Sequence, residues 1–340
     1  MRKLVTVRTV SNISPIEGAD FIEVAEVDGW YVVVKKGEFS IGSKGVYFEI
    51  DSFLPLQTRF DFLKKNSYRK LPDGTEGLKL RTVRILGQVS QGLLMPLSSF
   101  PEITKETDMD TLTELLGVTK WEPLEPTVLG GERKGDFPNF IKKTDEPRIQ
   151  NLPKSFFSTY ENMFFEVTEK LDGTSMTIYN YNGEIGVCGR NTDFKEEEGN
   201  AFWEMFNRLD IRTKLPSGYA IQGELIGPGI QKNNLKRNKL EFYVFNVWDI
   251  AAQRYLLPGD RYNFMCNITE LCHVPIFYIK LPIFKNRTNA EDILKEVSRY
   301  RSKFEGGLME GMVFKSCEYV RGSVLSFKVI SNEYLLKTEN

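Results

Sequence analysis

FFEVTEKLDGTSMTIYNYN, residues 164–182, reads as two strands joined by a tight turn, and it decides where chemistry can sit in this chain. Side chains alternate across a strand, so Lys170 and Asp172 point to one face while Glu169 and Leu171 point to the other. An amine and a carboxylate thereby share one surface. Gly173 then lets backbone come close to whatever lies above that face. A lysine becomes nucleophilic when desolvation or a nearby positive charge lowers its pKa, and a divalent cation held through water by Asp172 would supply such a charge. Lys-x-Asp-Gly alone carries little weight, because average residue usage gives about one accidental copy in ten chains of this length. RKLPDGTEG, residues 69–77, offers the same ingredients, yet its Pro-Asp-Gly predicts a plain turn between strands with Lys70 in solvent.

The rest of the chain narrows the class. Its 340 residues, 41% apolar and 12% aromatic, supply material for two cores. A formal net charge of −1 gives no overall field for polyanions, so any nucleic-acid contact must come from a local patch. No apolar run approaches the roughly 20 residues that span a bilayer, and MRKLVTVRTV lacks the apolar core of a signal peptide, which predicts a soluble intracellular protein. The four cysteines have no CxxC spacing, which argues against a disulfide framework or a zinc ribbon. In CNITELCH, residues 266–273, an apolar stripe of Phe264, Met265, Ile268, Leu271 and Cys272 after Asp260 as cap predicts a helix with core cysteine. His273 is the only histidine, and no GxxxxGK[ST] is present, so histidine-base and P-loop mechanisms find little support.

Residues 1–120 alternate like an all-β module of five or six short strands separated by Gly, Pro and Asp clusters. This predicts an OB-fold-like β-barrel, resembling the tRNA-binding type, with Lys35, Lys36, Arg69, Lys70, Lys79 and Arg81 as candidate nucleic-acid contacts. Residues 121–136, rich in Pro and Gly, predict a linker. From 137 to 340 strands alternate with helices such as NAFWEMFNRL and TNAEDILKEVSRY, the latter with Thr288 and Glu291 spaced as a capping box. The predicted fold class is α+β on mainly antiparallel sheets.

Five further segments follow Lys170 in order. CGRNT supplies Arg190, QGELIGPGIQKN supplies Glu224, FYVFNVWD supplies Phe245, EGMVFK supplies Glu310, and SFKVISNEYLLK closes with Lys328. Together they look like motifs I, Ia, III, IV and V of the covalent nucleotidyltransferases. FPNFIKKTDEPRIQN upstream favours ATP-dependent RNA ligases, and with the N-terminal module the chain is similar to their Deinococcus-type group. In one departure, Ser326 stands where related ligases commonly carry the first lysine of Lys-x-Lys.

The resemblance implies a C-terminal adenylyltransferase domain that uses ATP with Mg²⁺ or Mn²⁺ to join a 3′-OH to a 5′-phosphate. The partner would be RNA, as a nicked duplex or a broken strand, with the chain acting as a monomer and away from membranes. Lys170 would be the nucleophile that carries AMP, and Lys328 would contact the α-phosphate. Arg190 would bind ribose or phosphate, Glu224 a ribose hydroxyl, and Phe245 would stack on adenine. Glu169 would lie near the adenine edge, and Asp172, Glu310 and Glu224 would hold hydrated metal. In QKNNLKRNKL, residues 231–240, Lys232, Lys236 and Arg237 are candidate RNA contacts, a solvated charge run being the other reading. The alternatives are a GTP-using capping guanylyltransferase, and an RNA-binding protein whose catalytic domain is inert.

Overall fold

The structure, a computed structural model, describes residues 3–71, 73–121, 131–268, 271–304 and 307–338. The chain divides into two compact units, Met1–Pro123 with Asn289–Glu291 and Leu335–Asn340, and Leu124–Thr288 with Asp292–Tyr334. Of the predicted linker, residues 122–130 lie outside the described residues. Its last part, Arg133–Asp136, is an edge strand paired with Thr192–Phe194, so the second sheet starts before the expected boundary at 137. No helix among the described residues is long and apolar enough to cross a membrane.

In the first unit, twelve short strands between Val5 and Lys120 form four small antiparallel sheets among the described residues, more than the five or six expected. The difference arises where a continuous apolar run breaks at turns. GLKLRTVRILGQVSQGLLMPL holds parts of four strands, because Leu86 (φ 46°) and Gly87 (φ 82°) form a two-residue hairpin loop and Gly92 (φ 78°) bends the chain again. Phe48 packs against Phe60 and Phe100 with ring centroids 5.6 Å apart in each case, amid Leu4, Val46, Leu54, Leu78 and Leu112. The Asp73–Gly74 turn separates the paired strands Tyr68–Lys70 and Glu76–Lys79, as expected, with Lys70 exposed and 3.1 Å from Glu76.

Among the described residues the second unit holds two sheets. The larger orders its strands as Arg133–Asp136, Thr192–Phe194, Glu184–Cys188, Thr174–Tyr181, Tyr219–Ile226, Glu241–Asp249 and Arg254–Tyr255, with Cys272–His273 alongside Glu241–Asp249. The helix Ala201–Leu209 covers it. Asn200 caps that helix by accepting from the Phe202 and Trp203 amides, and Phe202, Trp203, Met205 and Phe206 are buried. The helix predicted after Asp260 with a stripe reaching Cys272 is shorter than expected, Pro258–Cys266. Pro258, with its fixed φ and missing N–H, occupies the first turn, so Leu257 rather than Asp260 is the cap. Cys272 lies in a strand, and Cys266 and Cys272 are exposed rather than in the core.

The smaller sheet runs Ile276–Leu281, Phe165–Lys170, Gly311–Val320, Ser323–Ile330. Its cross-strand register sorts the side chains into two faces. Phe165 and Phe327 pack with Phe284 on one face, where Phe314 stacks on Phe327 at 4.7 Å. Glu166 with Lys315 and Ser326, Thr168 with Val313 and Lys328, and Lys170 with Gly311 form the rows of the other. The phenylalanine face fixes the sheet by burial, each ring removing 150 Å² or more from water. The polar face is thereby left to carry chemistry.

Candidate active site

Leu171–Gly173 carries the chain from the small sheet into the large one, so both sheets contribute to whatever surrounds Lys170. A Cβ on Gly173 would lie 2.4 Å from Leu225 O and 2.9 Å from Glu224 Cγ, so only glycine lets this turn press against the strand of Glu224. The Gly173 amide donates to the Glu224 carboxylate. From the small sheet, the Lys170 Nζ lies 2.7 Å from Glu310 Oε1. Asp172, Glu224 and Glu310 all act on the Lys170 charge, and Lys328 feels Lys170 in turn. Five predicted residues therefore converge.

Their electrostatics follow from crowding in a poorly solvated place. Burial works to lower the Lys170 pKa, but Glu310, Glu224 and Asp172 outweigh it and hold the amine above its ordinary value. Burial pushes Glu224 up to about 8, with Lys170 opposing and Glu310 and Asp172 adding to the rise. Glu310 is raised by burial as well. Lys328 is pushed down to about 8 by burial and by Arg148, against the pull of Asp145 at 3.5 Å. Three carboxylates around one amine form a site short of positive charge, and the buried Glu310 Oε2 has no hydrogen-bond partner. Among the described residues no three such side chains sit as a direct metal cage. The donor set therefore fits a hydrated Mg²⁺ or Mn²⁺ held through water by Asp172, Glu224 and Glu310.

Phe245 lies at a β-bulge. The pairing shifts between Gln222 and Gly223, opposite Asn246 and Val244, and leaves Phe245 as the extra residue. Its carbonyl accepts from Lys315 Nζ at 2.5 Å, and the same ammonium stands 5.3 Å from its ring centre. The ring packs with Leu171 and Ile226. Arg190 sits in the hairpin turn after Glu184–Cys188. The Gly189 amide donates to Thr192 O at 2.9 Å and closes that turn, and across the neighbouring strand Ser175 pairs with Glu224.

Glu169 points away from Lys170. It is 2% exposed, and its carboxylate accepts from Ser302 Oγ at 2.5 Å and the Lys303 amide at 2.9 Å. Burial raises its pKa against those donors. Arg237 forms a two-pronged pair with Glu241 at 2.9 and 3.1 Å, which occupies its guanidinium, whereas Lys232 and Lys236 are exposed. Ser326 faces Lys315 across the ladder, but that lysine is 3% exposed and committed to Phe245. The cation beside Lys328 is Arg148, 7% exposed and bridged to it through the backbone. Lys315 and Arg148 had no role assigned from sequence, although both lie in the quoted segments EGMVFK and FPNFIKKTDEPRIQN.

Comparison with known proteins places this geometry. An OB-fold domain model matches residues 4–97, and an RNA ligase model matches residues 163–330. The structure of the Naegleria gruberi RNA ligase with PPi is 42% identical, with a TM-score of 0.89 and coverage of 100% of this chain and 99% of that one. A lysine-to-alanine mutant of that ligase with ATP and Mn is 40% identical, with a TM-score of 0.87 and 99% of each chain covered. A lysine-to-methionine mutant with AMP and Mn is 41% identical, with a TM-score of 0.88 and the same coverage. Among curated proteins nothing matches the chain.

Proposed function

The chain belongs to the RNA ligase family, and from that premise we propose that it is an ATP-dependent ligase that seals 3′-OH and 5′-phosphate RNA ends, at nicks in duplexes, acting as a monomer. The observation that carries this reading is the Lys170 Nζ held 2.7 Å from Glu310 among Asp172 and Glu224, with Lys328 beside them.

In the first step the unprotonated Lys170 nitrogen bonds to the α-phosphorus of ATP as the bond from that phosphorus to the bridging oxygen breaks. Pyrophosphate leaves, and the amine loses a proton to solvent. An oxygen of the RNA 5′-phosphate then attacks the same phosphorus, the N–P bond breaks, and Lys170 regains its proton. Last, the 3′-OH attacks the RNA 5′-phosphorus, loses its proton, and expels AMP. Each step moves charge on phosphate oxygens, so in-line placement and fixed cations matter more than a proton donor. Lys328 and Arg148 supply fixed positive charge on the side of the α-phosphate. Phe245 stacks on adenine, Glu224 and Arg190 hold the ribose and its phosphate, and Glu169 fixes the loop at Ser302 instead of touching the base. Asp172, Glu224 and Glu310 would hold Mg²⁺ or Mn²⁺, and its positive charge would offset theirs, lower the Lys170 pKa and favour charge on the reacting phosphate. Lys232 and Lys236 face the RNA backbone, and the N-terminal OB-fold domain binds the duplex beside the break.

Incubation with α-labelled ATP or GTP, a denaturing gel, and a sealing assay on nicked duplexes with each strand as RNA or DNA test this reading. Label from ATP and sealing of a 5′-phosphate RNA nick are expected. Label from GTP alone, with no sealing, would replace the ligase by a guanylyltransferase.

A further inference from the structure

The loop after Glu224 carries a second function beside its basic residues. Asn234 Nδ2 donates to Asp172 Oδ2 at 2.7 Å and lies 3.4 Å from the Tyr334 hydroxyl. That hydroxyl also reaches Asp172. Tyr334 is 7% exposed, so its hydroxyl is held in place beside Asp172.

The loop is built to deliver this amide. Asn233 Oδ1 accepts from the Arg237 amide at 3.0 Å, and its Nδ2 donates to Arg237 O at 2.8 Å, which closes a five-residue ring. Gln231, Asn233 and Lys236 all take left-handed backbone, φ 47°, 45° and 51°, a cost that persists only where surrounding contacts over-determine the conformation. Leu235 is buried with Leu171 and Ile226, and Gln231 Nε2 donates to Gly173 O at 3.3 Å. The segment that reads as a charge run is thus clamped onto the Asp172–Gly173 turn by its polar residues, while its lysines point out.

We propose that Asn234 and Tyr334 are positioning residues for cation binding: they fix the Asp172 carboxylate so that it faces the Lys170 site in one orientation. The inference rests on the ligase reading above. Outer partners of this kind set the orientation of a group that holds a metal. Without them Asp172 is free to turn toward Lys170 and pair with it, which would remove the carboxylate from the cation.

The test uses the full chain and Mn²⁺, followed by electron paramagnetic resonance of the free ion without nucleotide, and by the Mn²⁺ dependence of Lys170–AMP formation at saturating ATP. Asn234→Ala is expected to weaken Mn²⁺ binding and raise its half-saturating concentration by about tenfold, with little change in KM for ATP. Tyr334→Phe, which removes one oxygen and no packing, is expected to act in the same direction but less. In an Asp172→Ala background neither substitution should weaken binding further. An unchanged Mn²⁺ requirement in both variants, or an equal loss with and without Asp172, overturns the inference while leaving the ligase reading intact. Absence of Lys170–AMP in the wild-type protein would instead remove the reading beneath it.

Discussion

Lys170 Nζ lies 2.7 Å from Glu310 Oε1, because Lys170 pairs across the ladder with Gly311, the first residue of its strand, and Glu310 just before that strand turns its side chain onto the lysine. With 27% of the lysine and 15% of the glutamate side chain exposed, the pair is mostly buried and not on open surface. In the proposed mechanism the nucleophile is therefore masked. As an ammonium held by Glu310 it has no lone pair to offer, and a cation at the same carboxylates would release it.

Removing either partner should separate these roles. Lys170→Ala is expected to abolish AMP attachment and sealing. Glu310→Ala frees the amine but takes away cation binding, and labelling should fall on the order of 100-fold, as when a fixed transition-state stabiliser is lost. Chelation by EDTA should stop labelling of the wild-type protein, and Mn²⁺ or Mg²⁺ should restore it. A Glu310→Ala protein that labels at the wild-type rate would show that the carboxylate only restrains the lysine.

Lys328 gives a pH signature. Burial and Arg148 depress its pKa to about 8, so it is charged below that pH and neutral above it. Lys170, raised by its carboxylates, changes in the opposite sense and gains nucleophilic fraction as pH rises. The kcat/KM for ATP, which reports the free enzyme, should therefore rise with pH up to about 8 and level off above it, where loss of the Lys328 proton cancels the gain at Lys170. Lys328→Arg keeps its charge throughout, so the rise should continue past that point. A break that stays near 8 in the arginine variant would assign it to another group.

How much of this is legible in sequence depends on distance along the chain. The shared face of Lys170 and Asp172 follows from a period of two and a glycine, both local. The order of Arg190, Glu224, Phe245, Glu310 and Lys328 is visible as a series of motifs, although only the register between strands reveals that Ser175 stands beside Glu224. Contacts made by polar side chains across large separations leave no periodic trace. Asn234 reaches back 62 residues to Asp172, and Lys315 reaches 70 to the Phe245 carbonyl. Charge counting even misleads, since Arg237 looks like an RNA contact and is spent on Glu241 four residues later.

Phe245 and Lys315 should fail together but unequally. Phe245→Ala removes the stacking surface and is expected to raise the KM for ATP by roughly 10- to 100-fold, the equivalent of about 1–3 kcal/mol per stacked base. Lys315→Met keeps the bulk but leaves the bulged carbonyl without its donor, which should cost about 1–3 kcal/mol of stability. The ring would then lose its fixed position, with a smaller rise in KM. Urea unfolding and ATP titration of both variants separate the two effects. A normal KM in Lys315→Met would show that the bulge holds Phe245 without help.

Glu169 provides the sharpest contrast between touching a ligand and holding a wall. Its carboxylate satisfies Ser302 Oγ and the Lys303 amide, and Ser302 Oγ accepts from the Phe304 amide at 3.0 Å. Phe304 stands 5.2 Å from the Tyr243 ring and packs in the cluster with Leu171 and Phe245. Glu169→Ala leaves two donors unsatisfied, at about 1–3 kcal/mol for each that remains buried, and frees Phe304 to move. Glu169→Gln retains one acceptor oxygen and should lose less. The melting temperature and ATP binding should therefore decline in step, alanine below glutamine below wild type. A glutamine variant with wild-type melting and strongly weakened ATP binding would mean that the carboxylate reads the base directly, and that its place against Ser302 is incidental.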